Sequence, residues 1–542
     1  MNRFLPRFLV AWTVLAIASP VAFVFLGTAC NAIFGLEERF PFPPEAGAAG
    51  AGGASACEPG AVEDCYAGPA DTEGIGICRA GTKTCDAEGL NYSACEGEVS
   101  PGVETCASDQ DEDCDGQDCV LWGKLFGDVS DQTVGGIAVT KEGDVYIAGT
   151  FSGTLAFDPA KPLGANGTDI YLAKFDALGN PLWSKSFMGT GYPDVMGVAV
   201  DPFGNVILTG TFDTPITFGG ATHSTASYQD VYVAKFGPSG IFIWSNSSSH
   251  DELTRVGSVD ADSAGNVILV GTGHYDSGQP PTSHLWVEKY DAADGTFTWG
   301  KKFVDDFPLE GRTAGGVAID SFDNILITGS FQLTENFGGG LLTSAGGFDA
   351  FVAKFDPAGN HVWSASYGNA ADQAGIDIAS DASGNVVMLG TYAGSVNFGG
   401  ADDPLTAVGS NDIFLVKFSS AKVYFWSRSF GGAGDQQSGR VVVDKDSNIL
   451  FTGRTTWNVD YGGGPLIGGG AVDLPLVKLG ADGAHLWSRL FGDDLDQVGR
   501  GIAVGPGGEP LLVGNVRGGV NVGAEDLTSQ GGDDILIGKF AP

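Results

Sequence analysis

Beyond Cys119 the chain contains no cysteine, so neither disulfides nor thiolate metal sites can be built in its last four-fifths. Charged residues are also scarce, at 17%, and bases are the scarcer sign: 28 Lys and Arg against 66 Asp and Glu, a net charge of -38. A surface without a basic footprint does not bind a phosphate backbone, which excludes nucleic acid as a partner. No nucleophile elbow, HExxH helix or P-loop occurs. The glycine runs Gly462–Gly464 and Gly468–Gly470 lack the Lys-Ser/Thr that a phosphate loop needs. Only residues 8–29 form an apolar run long enough to cross a membrane. What is abundant is glycine, 85 residues of 542, which fits an all-β protein of tight turns better than a helical one.

The cysteines that do occur are clustered. Eight lie within Cys57–Cys119 and the ninth is Cys30. Such a set predicts a small disulfide-stapled module made in an oxidising compartment, with 105 pairings open to eight cysteines. Arg3 and Arg7 precede the uncharged stretch 8–29, the pattern of an export signal over residues 1–30 or of a single anchor. That stretch ends Leu26-Gly27-Thr28-Ala29-Cys30, which resembles a bacterial lipoprotein lipobox, with Gly27 where the family usually has Leu. The resemblance implies lipidation at Cys30, and hence an exported protein of the outer membrane or cell surface whose one membrane contact is this anchor. Residues 31–56, with Pro41, Pro43, Pro44 and an Ala/Gly/Ser run, read as a flexible tether.

Residues 120–542 repeat themselves. Trp122, Trp183, Trp244, Trp299, Trp363, Trp426 and Trp487 stand 55 to 64 residues apart, and a period of that size marks one supersecondary unit used seven times. Each unit carries four strand-like stretches, in the second copy LWSKSF, GVAVD, NVILTGTF and DVYVAKF. The last copy lacks a Trp-bearing strand, whereas the region opens on an unmatched one, Leu121–Phe126. Pairing these ends predicts a seven-bladed β-propeller of four-stranded blades, closed by its first strand. The units resemble the bacterial SBBP-type β-propeller repeat, most clearly at Gly136–Val139, Gly197–Asp201 and Gly316–Asp320. The resemblance implies a fold and leaves the activity open.

Residues copied by the repeat are expected to be structural. They include the Trp series and the Lys of each third strand (Lys174, Lys235, Lys289, Lys354, Lys417, Lys478 and Lys539). In six copies an Asp also lies five residues before that Lys, and four copies carry an Asp-Gln pair before the first strand. Catalysis needs unlike groups converging in one place. Asymmetry therefore guides the search, and the third unit is irregular. Its second-to-third strand connection is shortened, and it holds His250, His274, Asp276 and His284, a candidate ligand cleft facing an enlarged loop, Gly300–Gly315. Histidine spacings of 24 and 10 match no zinc signature.

In the cysteine-rich module, the run from Cys65 to Gly116 resembles a Cys-rich metal-binding motif of myxobacterial surface proteins. Asp109, Asp111, Asp113 and Asp115 followed by Gly116 resemble the start of a calcium loop, which makes calcium the expected cofactor. Trp122 stands where such a loop would close with Glu. The domains are thus 1–30, 31–56, 57–119 and 120–542. The expected role is a tethered binding or structural scaffold for a protein or glycan. An exported propeller hydrolase or lyase acting on polysaccharide is the alternative.

Overall fold

The structure is a computed structural model. It describes residues 57–542 except 70–71, 103, 105, 107–109, 115–118, 226–227, 250–252, 276–281, 305–310, 401–403 and 523–525. Cys30 and the tether lie outside the described residues. Among the described residues no helix is long and apolar enough to cross a membrane.

Seven four-stranded antiparallel sheets form the ring. Blade 2 is typical: Asp194–Val200, Val206–Phe212, Asp230–Phe236 and Phe242–Ser248, paired in that order from the inside out. First strands of neighbouring blades pack on one another all the way round, including blade 7 on blade 1, so they line the axis. The second and third strands are buried along their whole length in most blades. Alternation along the strand explains their apolar composition: Tyr146 and Ala148 pack with blade 2, while Val145 and Ile147 pack with blade 7. The ring closes as the repeat count requires. Val120–Phe126 pairs antiparallel with Asp534–Phe540, joining Gln497–Val504 and Pro510–Val516 as the outer strand of blade 7.

A glycine recurs in each second strand because the first strand bulges there. Register shifts between Val134 and Gly136 and between Val195 and Gly197, and a Cβ on Gly149 or Gly210 would collide with the carbonyl oxygen of Thr133 or Asp194.

Blade 3 departs from the pattern. Six blades place a two-stranded hairpin between their second and third strands, such as Ile216–Thr217 with Thr222–His223. Blade 3 instead extends Val267–Tyr275 and Thr282–Tyr290 to nine residues each.

The N-terminal module is tied by Cys57–Cys85, Cys65–Cys95, Cys78–Cys114 and Cys106–Cys119. Four disulfides place the chain in an oxidising environment, extracellular or periplasmic. The last of them is packed into the propeller. Cys106 and Cys119 share one core with Trp487, Val120, Phe540 and Ala541, and Ala541 N donates to Cys119 O at 2.8 Å.

Candidate functional site

The repeated charges are consumed by blade seams. Lys235 forms an ion pair with Asp201 at 2.8 Å, both side chains buried, and also donates to Ala292 O of blade 3, where Trp244 Nε1 donates as well. The same double donation occurs for Lys174 and Trp183 on Pro238 O, Lys354 and Trp363 on Ser420 O, Lys417 and Trp426 on Ala481 O, and Lys539 and Trp122 on Ala177 O. In blades 2 to 6 the acid opens the tight turn after the first strand. Asp201, for example, also accepts from Phe203 N and Asn205 N. In blades 1 and 7 Thr140 and Gly505 occupy that position, and Asp144 and Glu509 supply the carboxylate from the other end of the turn. Burial alone would raise the Asp201 carboxyl; its bonds from Lys235 and Asn205 outweigh that and hold it below the usual range.

The Asp that six copies place five residues before the Lys has separate work. Asp169, Asp349, Asp412, Asp473 and Asp534 accept backbone N–H bonds from their own loops. Burial holds Asp349, Asp412, Asp473 and Asp534 above the usual carboxyl range. The rim glutamines are likewise engaged: Gln132, Gln373, Gln436 and Gln497 each accept from one loop amide and donate to another loop's carbonyl.

Of the predicted cleft residues, His250 and Asp276 lie outside the described residues. His274 and His284 do not converge. Register pairs His274 with Ser283 and His284 with Gly273, so the two rings point to opposite faces of blade 3. His284 is buried, whereas His274 lines a cavity at one mouth of the ring axis.

That cavity, of about 710 Å³, is the site sequence reasoning missed. Five of the propeller's eight arginines line it: Arg255, Arg312, Arg440, Arg454 and Arg500. The available signal was Arg440 and Arg500, which stand at first-strand positions that most other copies fill with small or apolar residues. Arg312 is buried and held by Glu335 at 2.6 Å and by the Ser283 carbonyl. Arg440 reaches across the axis from blade 6 to Met196 O of blade 2 at 3.1 Å, with Asp377 3.5 Å from it. It lines both this cavity and a second one, of about 320 Å³, which holds Asp260 and Asp377. Burial raises both of these carboxyls, Asp260 to about 6.

The other three arginines are less engaged. Among the described residues Arg454 and Arg500 each use only Nε, on Gln437 and Asn515. Among the described residues the Arg255 guanidinium forms no ion pair or hydrogen bond. Enclosure by the blades lowers the Arg500 pKa, and Arg454 adds to this, while Asp533 and Asp194 act in the opposite sense.

In the module, Glu104, Asp111 and Asp113 bring carboxylate oxygens within 4.8 Å of one another. Asp109 and Asp115 lie outside the described residues. Glu104, absent from the sequence-derived set, is buried and accepts from the amides of Glu112, Asp113 and Cys119. Burial raises its pKa, and those amides oppose the shift. An all-oxygen donor set suits a hard cation such as calcium.

No protein-family model matches the chain. It is 21% identical over 469 residues to an uncharacterised WD-repeat-containing protein of Acanthamoeba polyphaga mimivirus, a match that takes in 71% of this chain and spans 30% of that protein's length. Similar solved structures include a quinohemoprotein alcohol dehydrogenase from Comamonas testosteroni (TM-score 0.38, 12% identity, 82% of this chain and 78% of that one). Others are the β-propeller domain of the Trilobed protease from Pyrococcus furiosus (0.40, 8%, 75% and 93%) and an ulvan lyase (0.39, 12%, 76% and 97%).

Proposed function

We propose that the chain is an exported bacterial surface lipoprotein of the SBBP-repeat type. Cys30 anchors it, and its propeller acts as a binding scaffold with the ligand seat at the arginine-lined mouth. One observation carries this reading: charges copied by symmetry are spent in the seams, whereas unlike side chains gather at one end of the axis. A Cys30→Ser variant should leave the membrane fraction, and mass spectrometry of the mature N-terminus should find acyl chains on Cys30 in the parent. A parent that carries no lipid removes the anchoring half of the proposal.

The module is a calcium site in this reading, built on Glu104, Asp111 and Asp113. Calcium should raise the melting temperature of the full chain by mass action, and an Asp111→Asn, Asp113→Asn double variant should lose that shift. A second reading, an exported lyase or hydrolase acting on polysaccharide, draws on His274, an imidazole placed among the mouth arginines. Chain cleavage of an acidic polysaccharide that disappears in His274→Ala would favour it over a scaffold.

A further inference from the structure

In a chain of net charge -38, eight arginines are placed in the propeller, and five of them line one cavity. Surface solubility does not account for that placement. A cation on the outer wall would be hydrated freely, whereas these arginines line one cavity inside the ring. Arg454 and Arg500 repel, and Arg500 is held below its usual pKa by enclosure and by that neighbour.

The nearby acids do not neutralise the group. Glu335 is committed to Arg312, and Asp377 lies against Arg440. Asp194 interacts with Arg255 and Arg500 only at a distance and is itself raised by burial. Among the described residues, the terminal nitrogens of Arg454 and Arg500 and the whole Arg255 guanidinium therefore retain their donors. A guanidinium presents a planar fork of N–H donors that matches an oxyanion in bidentate geometry. The cavity volume falls within the range of small-molecule sites.

We propose that the mouth binds a small polyanion, a ligand with at least two oxyanion groups held between Arg255, Arg454 and Arg500. Arg440 forms the floor of this site. The inference rests on the reading of the mouth as the ligand seat, and it is independent of lipidation at Cys30. Carboxylate and phosphoryl groups share the chemistry that the three forks recognise.

The test is calorimetry on the full chain at low ionic strength and without added divalent cations, using tricarballylate and inorganic pyrophosphate as probes. At least one should bind, and its affinity should fall steeply as salt is raised. Arg255→Gln, which breaks no hydrogen bond or ion pair among the described residues, should weaken that probe about tenfold or more. Arg255→Gln with Arg500→Gln should abolish measurable binding. Lys141→Gln, at an exposed turn beyond the far end of a first strand, should leave Kd unchanged. The stronger of the two probes identifies carboxylate or phosphoryl recognition. Failure of both probes to bind overturns the proposal, as does equal binding by the parent and by a folded Arg255→Gln variant. Failure of Cys30→Ser to leave the membrane would instead overturn the anchoring claim and leave this site intact.

Discussion

At the seam between blades 1 and 2, Lys174 and Trp183 share the Pro238 carbonyl, offered by the turn between the third and outer strands of blade 2. The seam between blades 6 and 7 has no such turn, because the third strand of blade 7 ends at Phe540 and its outer strand comes from Val120. Trp487 is buried there, and its Nε1 finds no acceptor among the described residues. Lys478 keeps its ion pair with Asp444, but among the described residues it makes no bond to a blade 7 carbonyl. The Cys106–Cys119 disulfide fills the vacated position, with the Cys106 sulfur 3.4 Å from Ala541 O. One seam is thus closed by polar donation and the other by apolar packing against a module disulfide. The comparison shows that the module is part of the ring's closure as well as a neighbour of it.

Four experiments bear on the comparison. The largest effect is expected on deleting Val120–Phe126. This strips the outer strand from blade 7, uncovers the Asp534–Phe540 edge and should abolish the single cooperative transition in urea. A circular permutant that joins residue 542 to residue 120 through a short turn, with the module removed, should restore it. Next, Cys106→Ala with Cys119→Ala should cost about 3 kcal/mol in urea unfolding, the order expected for a clasp closing a loop of this size. Removing Cys57–Cys85, which lies outside the seam core, should leave propeller stability unchanged.

A third experiment isolates the Nε1 group. Benzothienylalanine keeps the shape of Trp without its N–H. At position 183 it should cost about 1 kcal/mol, the worth of an ordinary hydrogen bond; at position 487 it should cost nothing or stabilise, since it removes a buried donor without a partner. Equal costs at the two positions would end the contrast between the seams.

The smallest effect concerns the axis rather than a seam. The folded pKa of Asp260 lies at about 6, above the ordinary unfolded value of about 3.9. A raised folded pKa means its contribution is present below about pH 4 and is lost as pH rises through about 6. Asp260→Asn should flatten that part of the stability profile. The seam acids run in the opposite sense. Asp201, Asp262, Asp320 and Asp381 have lowered folded pKa values, so their contribution is present above about pH 4 and is lost as acid is added.

Much of the ring was legible because repetition multiplies weak signals. A single LWSKSF stretch is ambiguous, but seven in register fix the strand count and, through the unmatched Leu121–Phe126, the closure. The structural roles of the repeated Lys and Trp were legible for the same reason. Their partners were not, since the shared carbonyl comes from the following blade and no local pattern marks it. The arginine mouth was illegible for a related reason. Arg255, Arg440 and Arg500 are scattered over three copies, and only the closed ring brings them together. His274 and His284 looked like neighbours because a short connection brings them close in sequence, but a one-residue offset in strand pairing sets their side chains on opposite faces. Glu104 was passed over because its role depends on the chain folding back so that the amides of Glu112, Asp113 and Cys119 point at it.

Every Trp latch reaches only into the following blade, 48 to 57 residues ahead. Trp122, Trp183 and Trp426 each meet a carbonyl 55 residues further along the chain. A contact with that reach is blind to how many blades follow. Duplicating one whole unit would lengthen the chain without altering any latch or the disulfide packed at the seam between blades 6 and 7. Copy number is therefore a heritable variable of this architecture, limited by how many first strands can pack around one axis. A ring enlarged by one unit would also separate the arginines of the mouth, so this limit acts on the proposed ligand seat before it acts on the fold.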